Sequence, residues 1–176
     1  MIQFEKYALR LLTMNDLQVY YKMISRNRER LLQYFAGTVS KTNNFDDTKE
    51  FLIDMEKRMK GKSYFPYVLV DMDTSALIGF YDLKNIEWSV PKTEIGYFID
   101  VQYEGKGIGA KALKSFCDHC FSEYGFEKLF LRTHKSNLPA RRIAEKSGFE
   151  IEGTIRRDYR TSSGELVDVL YYGLIR

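Results

Sequence analysis

Hydrophobic and polar positions change period part-way along this chain. From Tyr7 to Leu12 they alternate, which predicts a first strand. After that, apolar positions fall three and four residues apart. Thr13 or Asn15 can cap a helix running to about Ser25, and a short helix over Arg28–Gln33 follows. Asp46 or Asp47 opens a longer helix to about Lys60, with Phe51, Leu52, Met55 and Met59 as its apolar stripe and Gly61 as its stop. Alternation then returns. Tyr64–Asp71 and Leu77–Leu83 read as strands joined by the polar turn Met72–Ala76, and Thr93–Ile99 reads as a third. Helices over Gly107–Tyr124 and Leu138–Ser147 frame a strand at Lys128–Thr133. Two closing strands, Glu150–Arg157 and Leu166–Leu174, flank a Ser-Ser-Gly turn. This order predicts a mixed α/β domain rather than a regular doubly wound sheet, with no internal repeat and no linker.

A length of 176 residues suits one domain. The chain is 44% hydrophobic and 29% charged, as a soluble globular protein is. Aromatic residues make up 15%, enough to fill a core and line a cleft. Apolar runs are too short to span a bilayer, and Met1–Leu12 carries charges and no cleavable apolar segment. No membrane partner and a cytoplasmic location are therefore expected. The net charge of +3 is too weak to argue for a nucleic-acid partner. Arg26, Arg28 and Arg30 form a local basic cluster, which reads most simply as a solvated helix face. Cys117 and Cys120 form a lone CxxC well inside the predicted helix, in register with Leu113, Phe121 and Tyr124. There is no second pair for zinc and no helix N-terminus to activate a thiol, so core packing is the expectation and no metal site is expected.

The stretch Gly105-Lys106-Gly107-Ile108-Gly109 lies between a strand and a helix. A strand that runs through glycines into a helix leaves free amide N–H groups at a positive helix end, a site for a phosphate-bearing cofactor. As a nucleotide P-loop the motif is broken, because Ala112 stands where a magnesium-binding Ser or Thr is needed. As a dinucleotide fingerprint, Gly107-x-Gly109-x-x-Ala112 lacks an acidic residue at the end of the next strand, and too little chain remains for a six-stranded parallel sheet.

A third reading comes from the order and spacing of several short motifs: Leu9-Arg10, Glu94-Ile95-Gly96-Tyr97, Glu104 through Gly109, Asn137, and Glu145-Lys146-Ser147-Gly148-Phe149. In this arrangement nearly the whole chain resembles the GCN5-related N-acetyltransferase (GNAT) family, in its branch of ribosomal-protein N-terminal and spermidine-type enzymes. The resemblance implies one domain with a central, mostly antiparallel, twisted sheet of about six to seven strands, flanked by helices and splayed to form a cofactor slot. It implies that residues 1–62 build the acceptor side and residues 63–176 the acetyl-CoA-binding core. The cofactor-binding set it implies is Phe98, Ile99, Glu104, Gly105, Lys106, Gly107, Ile108, Gly109, Ala110 and Asn137. Phe98 and Ile99 stand where family members pair backbone with the pantetheine amides, and Asn137 where an asparagine touches that arm. One of Arg141, Arg142 and Lys146 can meet the adenosine phosphates.

Glu104 is a departure, since the family's loop starts with Gln or Arg. A carboxylate there sits close to a diphosphate unless its side chain turns away. The chemistry implied is attack of a neutral amine on the thioester of acetyl-CoA, with Glu94 as the proton acceptor, directly or through water. Backbone N–H near Ile99 would polarise the carbonyl. The usual proton donors to the leaving thiolate, a Tyr and a Ser, are replaced by Ala144 and Ala140. Ser136, a nearby Tyr or a water can substitute, or coenzyme A can leave as thiolate. The basic cluster would repel a polyamine if it faced the cleft, which favours a protein N-terminus over a small amine as acceptor. A polyamine acetyltransferase and a catalytically weak coenzyme A-binding module are the alternatives. A monomer or homodimer is expected.

Overall fold

The computed structural model describes residues 1–176. Eight strands form one sheet: β1 (Ile2–Phe4), β2 (Tyr7–Leu11), β3 (Phe65–Asp71), β4 (Ala76–Glu87), β5 (Lys92–Ile99), β6 (Lys128–His134), β7 (Glu150–Arg160) and β8 (Leu166–Ile175). Their order across the sheet is β1-β2-β3-β4-β5-β6-β8-β7, and every neighbouring pair is antiparallel except β5 and β6. The sheet is thus slightly larger than the six to seven strands expected. The addition is β1, three residues long, which turns back onto β2 through Glu5 and pairs Phe4 with Tyr7.

Helices cover both faces. On one lie α1 (Leu17–Tyr34), the short α2 (Ala36–Ser40) and α3 (Phe45–Lys60). On the other lie α4 (Ile108–Glu123) and α5 (Leu138–Lys146). Strand alternation divides the core between the two faces. Tyr67, Leu69, Tyr97 and Ile99 pack toward α4 and α5, whereas Val68 and Phe98 pack toward α1 and α3. Strands buried on both faces read as near-continuous apolar runs, which is why β3 and β5 were legible. No helix is long and apolar enough to cross a membrane.

Two local differences from the sequence expectation have clear causes. First, α1 is one helix rather than two. Its buried stripe, Tyr20, Met23, Ile24, Asn27 and Leu31, keeps helical spacing through the basic cluster. Asn27 sits in that stripe because its amide donates to the Met23 carbonyl at 2.8 Å and its oxygen accepts the Val101 N–H at 2.9 Å. Second, the basic cluster is not a solvated face. Arg28 caps the end of α2 through the carbonyls of Val39 and Thr42, and Arg26 grips the fully buried Asp100 just beyond β5. Cys117 and Cys120 are free and buried in the α4 core, and burial pushes both thiols up, well away from thiolate reactivity.

Candidate active site

The site begins where β5 and β6 part. They pair only over Lys92–Glu94 against Lys128–Phe130. Beyond Glu94, β5 stays paired to β4 as far as Ile99, while β6 turns its other edge to β8. The Asp100 N–H donates to the Ile78 carbonyl at 2.9 Å. Strand alternation then points the peptide groups of Tyr97 and Ile99 away from β4, into the gap. Phe98 lines the same opening, but its peptide groups face β4. The gap is an open sheet edge inside the molecule, suited to a ligand that carries amides.

The glycine loop closes one end of this gap. Gly107 is the residue before α4, with φ of 75°, and no side chain caps the helix. A left-handed residue there costs glycine little and any other residue roughly 1–2 kcal/mol. The free N–H groups of Ile108, Gly109 and Ala110 are therefore left facing the opening, beside the positive end of the helix. Gly109 eases the packing for a second reason. A Cβ there would lie 3.0 Å from Ile143 Cδ1 and 3.1 Å from Ile99 Cγ1, so any other residue would push these side chains back by a few tenths of an ångström.

Together the gap and loop form a cavity of about 850 Å³, within the roughly 300–1,000 Å³ range of cofactor clefts. Nine of the ten expected cofactor residues line it: Phe98, Ile99, Glu104, Gly105, Gly107, Ile108, Gly109, Ala110 and Asn137. Lys106 does not. Its ammonium lies over the Tyr103 ring and donates to the Gln102 carbonyl at 3.2 Å. Asn137 caps α5 by accepting the Ala140 N–H at 3.3 Å. Among the cations of α5, Arg142 and Lys146 face the cavity, while Arg141 turns to the Tyr172 hydroxyl and the Lys135 carbonyl. Lys111 and Lys114 of α4 line it too, with the Lys111 ammonium donating to Glu5 at 2.6 Å.

Glu104 finds its counterpart in Arg30 of α1. The guanidinium ion-pairs with the Glu104 carboxylate and donates to the Ile99 carbonyl and to Asn27. Burial pulls Arg30 down from its ordinary value and Asp100 opposes that, which leaves a guanidinium far above neutral pH. The carboxylate that looked misplaced beside a diphosphate is thus neutralised from α1.

A second, smaller cavity of about 160 Å³ adjoins the first from the β6 and β7 side. Glu94 lines it and is almost fully buried. Its Oε2 accepts from Asn85 at 2.6 Å and from Arg132 at 2.8 Å, and its Oε1 lies 3.5 Å from the Lys84 ammonium. Arg132 also holds Asp158 of β7 at 2.5 Å. Desolvation pulls Lys84 down, but Asp82 and Glu94 outweigh it and leave the ammonium raised. Desolvation likewise opposes Arg132, yet Glu94 and Asp158 hold it raised. Asn85 reaches Glu94 because β4 is irregular between Lys84 and Glu87, with Asn85 at φ of 50°. Asparagine tolerates that conformation, and such a bulge re-aims a side chain.

Sequence reasoning missed Asn85, Arg132 and Asp158. Asn85 alone gave a signal, as a turn-former inside a strand run. The two cavities share Tyr34, Phe35, Tyr97, Asn137 and Ala140, so a cofactor entering one and a second substrate entering the other meet there.

A helix start with free amides, a slot open to an amide-bearing arm and a buried carboxylate next to a second opening suit a cofactor-dependent group-transfer enzyme. The family model of the acetyltransferase (GNAT) domain matches residues 7–150, and the chain belongs to that family. It is an N-acetyltransferase that uses acetyl-CoA as acyl donor. Over 174 residues it is 27% identical to YdaF of Bacillus subtilis, a provisionally named ribosomal N-acetyltransferase, covering 98% of this chain and 92% of that one. The fold matches ribosomal-protein-S5-alanine acetyltransferase from Vibrio fischeri with a TM-score of 0.86 at 23% identity, covering 98% and 94% of the two chains. It also matches spermidine N-acetyltransferase from Vibrio cholerae in complex with CoA and spermine, with a TM-score of 0.81 at 22% identity, covering 97% and 95%.

Proposed function

We propose that this enzyme acetylates the α-amine of a protein N-terminus, with residues 1–62 shaping the acceptor side and residues 63–176 holding acetyl-CoA. The observation that carries the choice of acceptor is the charge balance of the smaller cavity. Its carboxylates, Glu94 and Asp158, are both already paired with the cations Lys84 and Arg132. A polyamine brings several positive charges and gains most from carboxylates that lack partners. A peptide N-terminus brings a single amine, which must lose its proton before attack, and asks for no net negative field.

In this reading the diphosphate rests on the amides of residues 107–110, and the pantetheine arm pairs with the peptide groups of Tyr97 and Ile99. Lys114, Arg142 and Lys146 face the remaining phosphate. Glu94 accepts the proton of the incoming amine through a water in the small cavity. Its partners Arg132, Asn85 and Lys84 fix the carboxylate in one orientation beside that cavity. The amine then attacks the thioester carbonyl, whose oxygen takes a hydrogen bond from backbone N–H at the end of β5.

The test is acetyl-CoA turnover against a panel of N-terminal peptides, spermidine, spermine and aminoglycosides, with products identified by mass. Acetylation of peptide α-amines with little or no polyamine product is expected. Preferential acetylation of spermidine or spermine would overturn the choice of acceptor.

A further inference from the structure

The leaving group of the reaction is a thiolate, and with acetyl-CoA in the slot it would depart at the junction of the two cavities. Five residues border both cavities, and two of them carry hydroxyls, Tyr34 and Tyr97. Tyr34 sits at the outer end, where its hydroxyl lies 3.5 Å from Ser136 Oγ at an exposed contact. Tyr97 lies on the β5 edge that opens into the slot, only 8% exposed. Its ring stacks on Tyr81 at 5.7 Å, which fixes its direction. Its hydroxyl reaches the first turn of α5 and donates to the Ala140 carbonyl at 2.8 Å. The turn itself supplies no hydroxyl, since positions 140 and 144 are alanines and Ala144 is sealed in the core.

We propose that the Tyr97 hydroxyl donates the hydrogen bond that stabilises the departing sulfur of coenzyme A. The proposal rests on acetyl-CoA lying in the slot between β5 and β6. In the resting enzyme the phenolic proton points to the Ala140 carbonyl, and a hydroxyl proton rotates freely about its C–O bond. As the tetrahedral intermediate collapses, the C–S bond breaks and its electron pair goes to sulfur. The phenolic O–H swings to that charge, where a charge-assisted hydrogen bond is strongest. The proton released by the amine nitrogen passes through water to the sulfur, so one proton leaves nitrogen and one arrives on the thiol. Tyr97 itself stays protonated throughout. Burial pushes its phenol far up, which suits a donor that does not ionise.

The test pairs kinetics with a titration of bound coenzyme A, followed by thiolate absorbance. In the unaltered enzyme the bound thiol should titrate below free coenzyme A. Tyr97→Phe keeps the stacked ring and removes only the oxygen. We expect its kcat to fall roughly 10- to 100-fold, the range for a lost hydrogen bond to a charged group. Coenzyme A affinity should stay within about twofold, and the bound thiol should titrate roughly one pH unit higher, a tenfold change. Turnover of Tyr97→Phe within twofold of the parent would overturn the proposal. So would a loss of turnover with the thiol titration unmoved, or the same loss in Tyr34→Phe or Ser136→Ala instead. A bound thiol titrating at or above free coenzyme A in the unaltered enzyme overturns it without any variant. Failure of the unaltered enzyme to bind coenzyme A at all would instead remove the slot assignment on which it rests.

Discussion

At the scale of single residues, two carboxylates that look alike in the sequence behave differently. Glu94 is buried and tied to Arg132, Asn85 and Lys84, whereas Glu104 is half exposed and tied to Arg30. Glu94→Gln removes the proposed proton acceptor while keeping the shape. We expect kcat to fall by about 10² or more, as for a lost general base, with coenzyme A affinity unchanged by calorimetry. Unchanged turnover would exclude Glu94. For Glu104 the sign is opposite. Arg30→Gln leaves its charge bare beside the diphosphate and should weaken coenzyme A binding. Glu104→Gln frees the guanidinium and should strengthen it. Each single effect should be about 0.5–1 kcal/mol, the range of partly exposed pairs, and both should shrink at high salt. The double variant should return close to the parent. Binding measured across this cycle at low and high salt checks the assignment. Glu104 was visible in the sequence as an anomaly, but its explanation was not. Arg30 lies far away in sequence, and nothing in the local pattern separates a pinned arginine from a solvated one.

At the scale of elements, what could be read beforehand follows from locality. The glycine loop, the start of α4 and the Asn137 cap each depend on residues within one turn, so their chemistry was legible. β5 was legible as a near-continuous apolar run because both its faces are buried. The splay was expected from resemblance, but its extent depends on β6 leaving β5 after three paired positions, which only the sheet register defines. The unity of α1 was also hidden, because it depends on Asn27 being satisfied from β5's far end by the Val101 N–H. The loop yields a further prediction. A Cβ at Gly107 meets no atom within 4 Å, so Gly107→Ala introduces no clash. Its cost is backbone strain, roughly 1–2 kcal/mol for a left-handed alanine. We expect that strain to appear as weaker coenzyme A binding with a folded protein, measured by calorimetry beside a melting curve. Binding equal to the parent would mean that the positive φ of Gly107 does not shape the site.

At the scale of the whole molecule, the sheet separates two helical layers and lets them meet at one place. The α1 layer reaches the larger cavity through Arg30 and both cavities through Tyr34 and Phe35, and the start of α5 reaches both through Asn137 and Ala140. The two halves of the chain therefore both line the joined cavities, and in the proposed function the acceptor enters from the end opposite the glycine loop. This arrangement makes a single structure decisive: the enzyme crystallised with acetyl-CoA or coenzyme A. In that structure the diphosphate should lie on the amides of residues 107–110, the pantetheine amides should pair with the peptide groups of Tyr97 and Ile99, and the sulfur should sit at the junction bordered by Tyr97, Asn137 and Ala140. Coenzyme A bound outside the β5–β6 gap, or with its sulfur away from that junction, would contradict that placement.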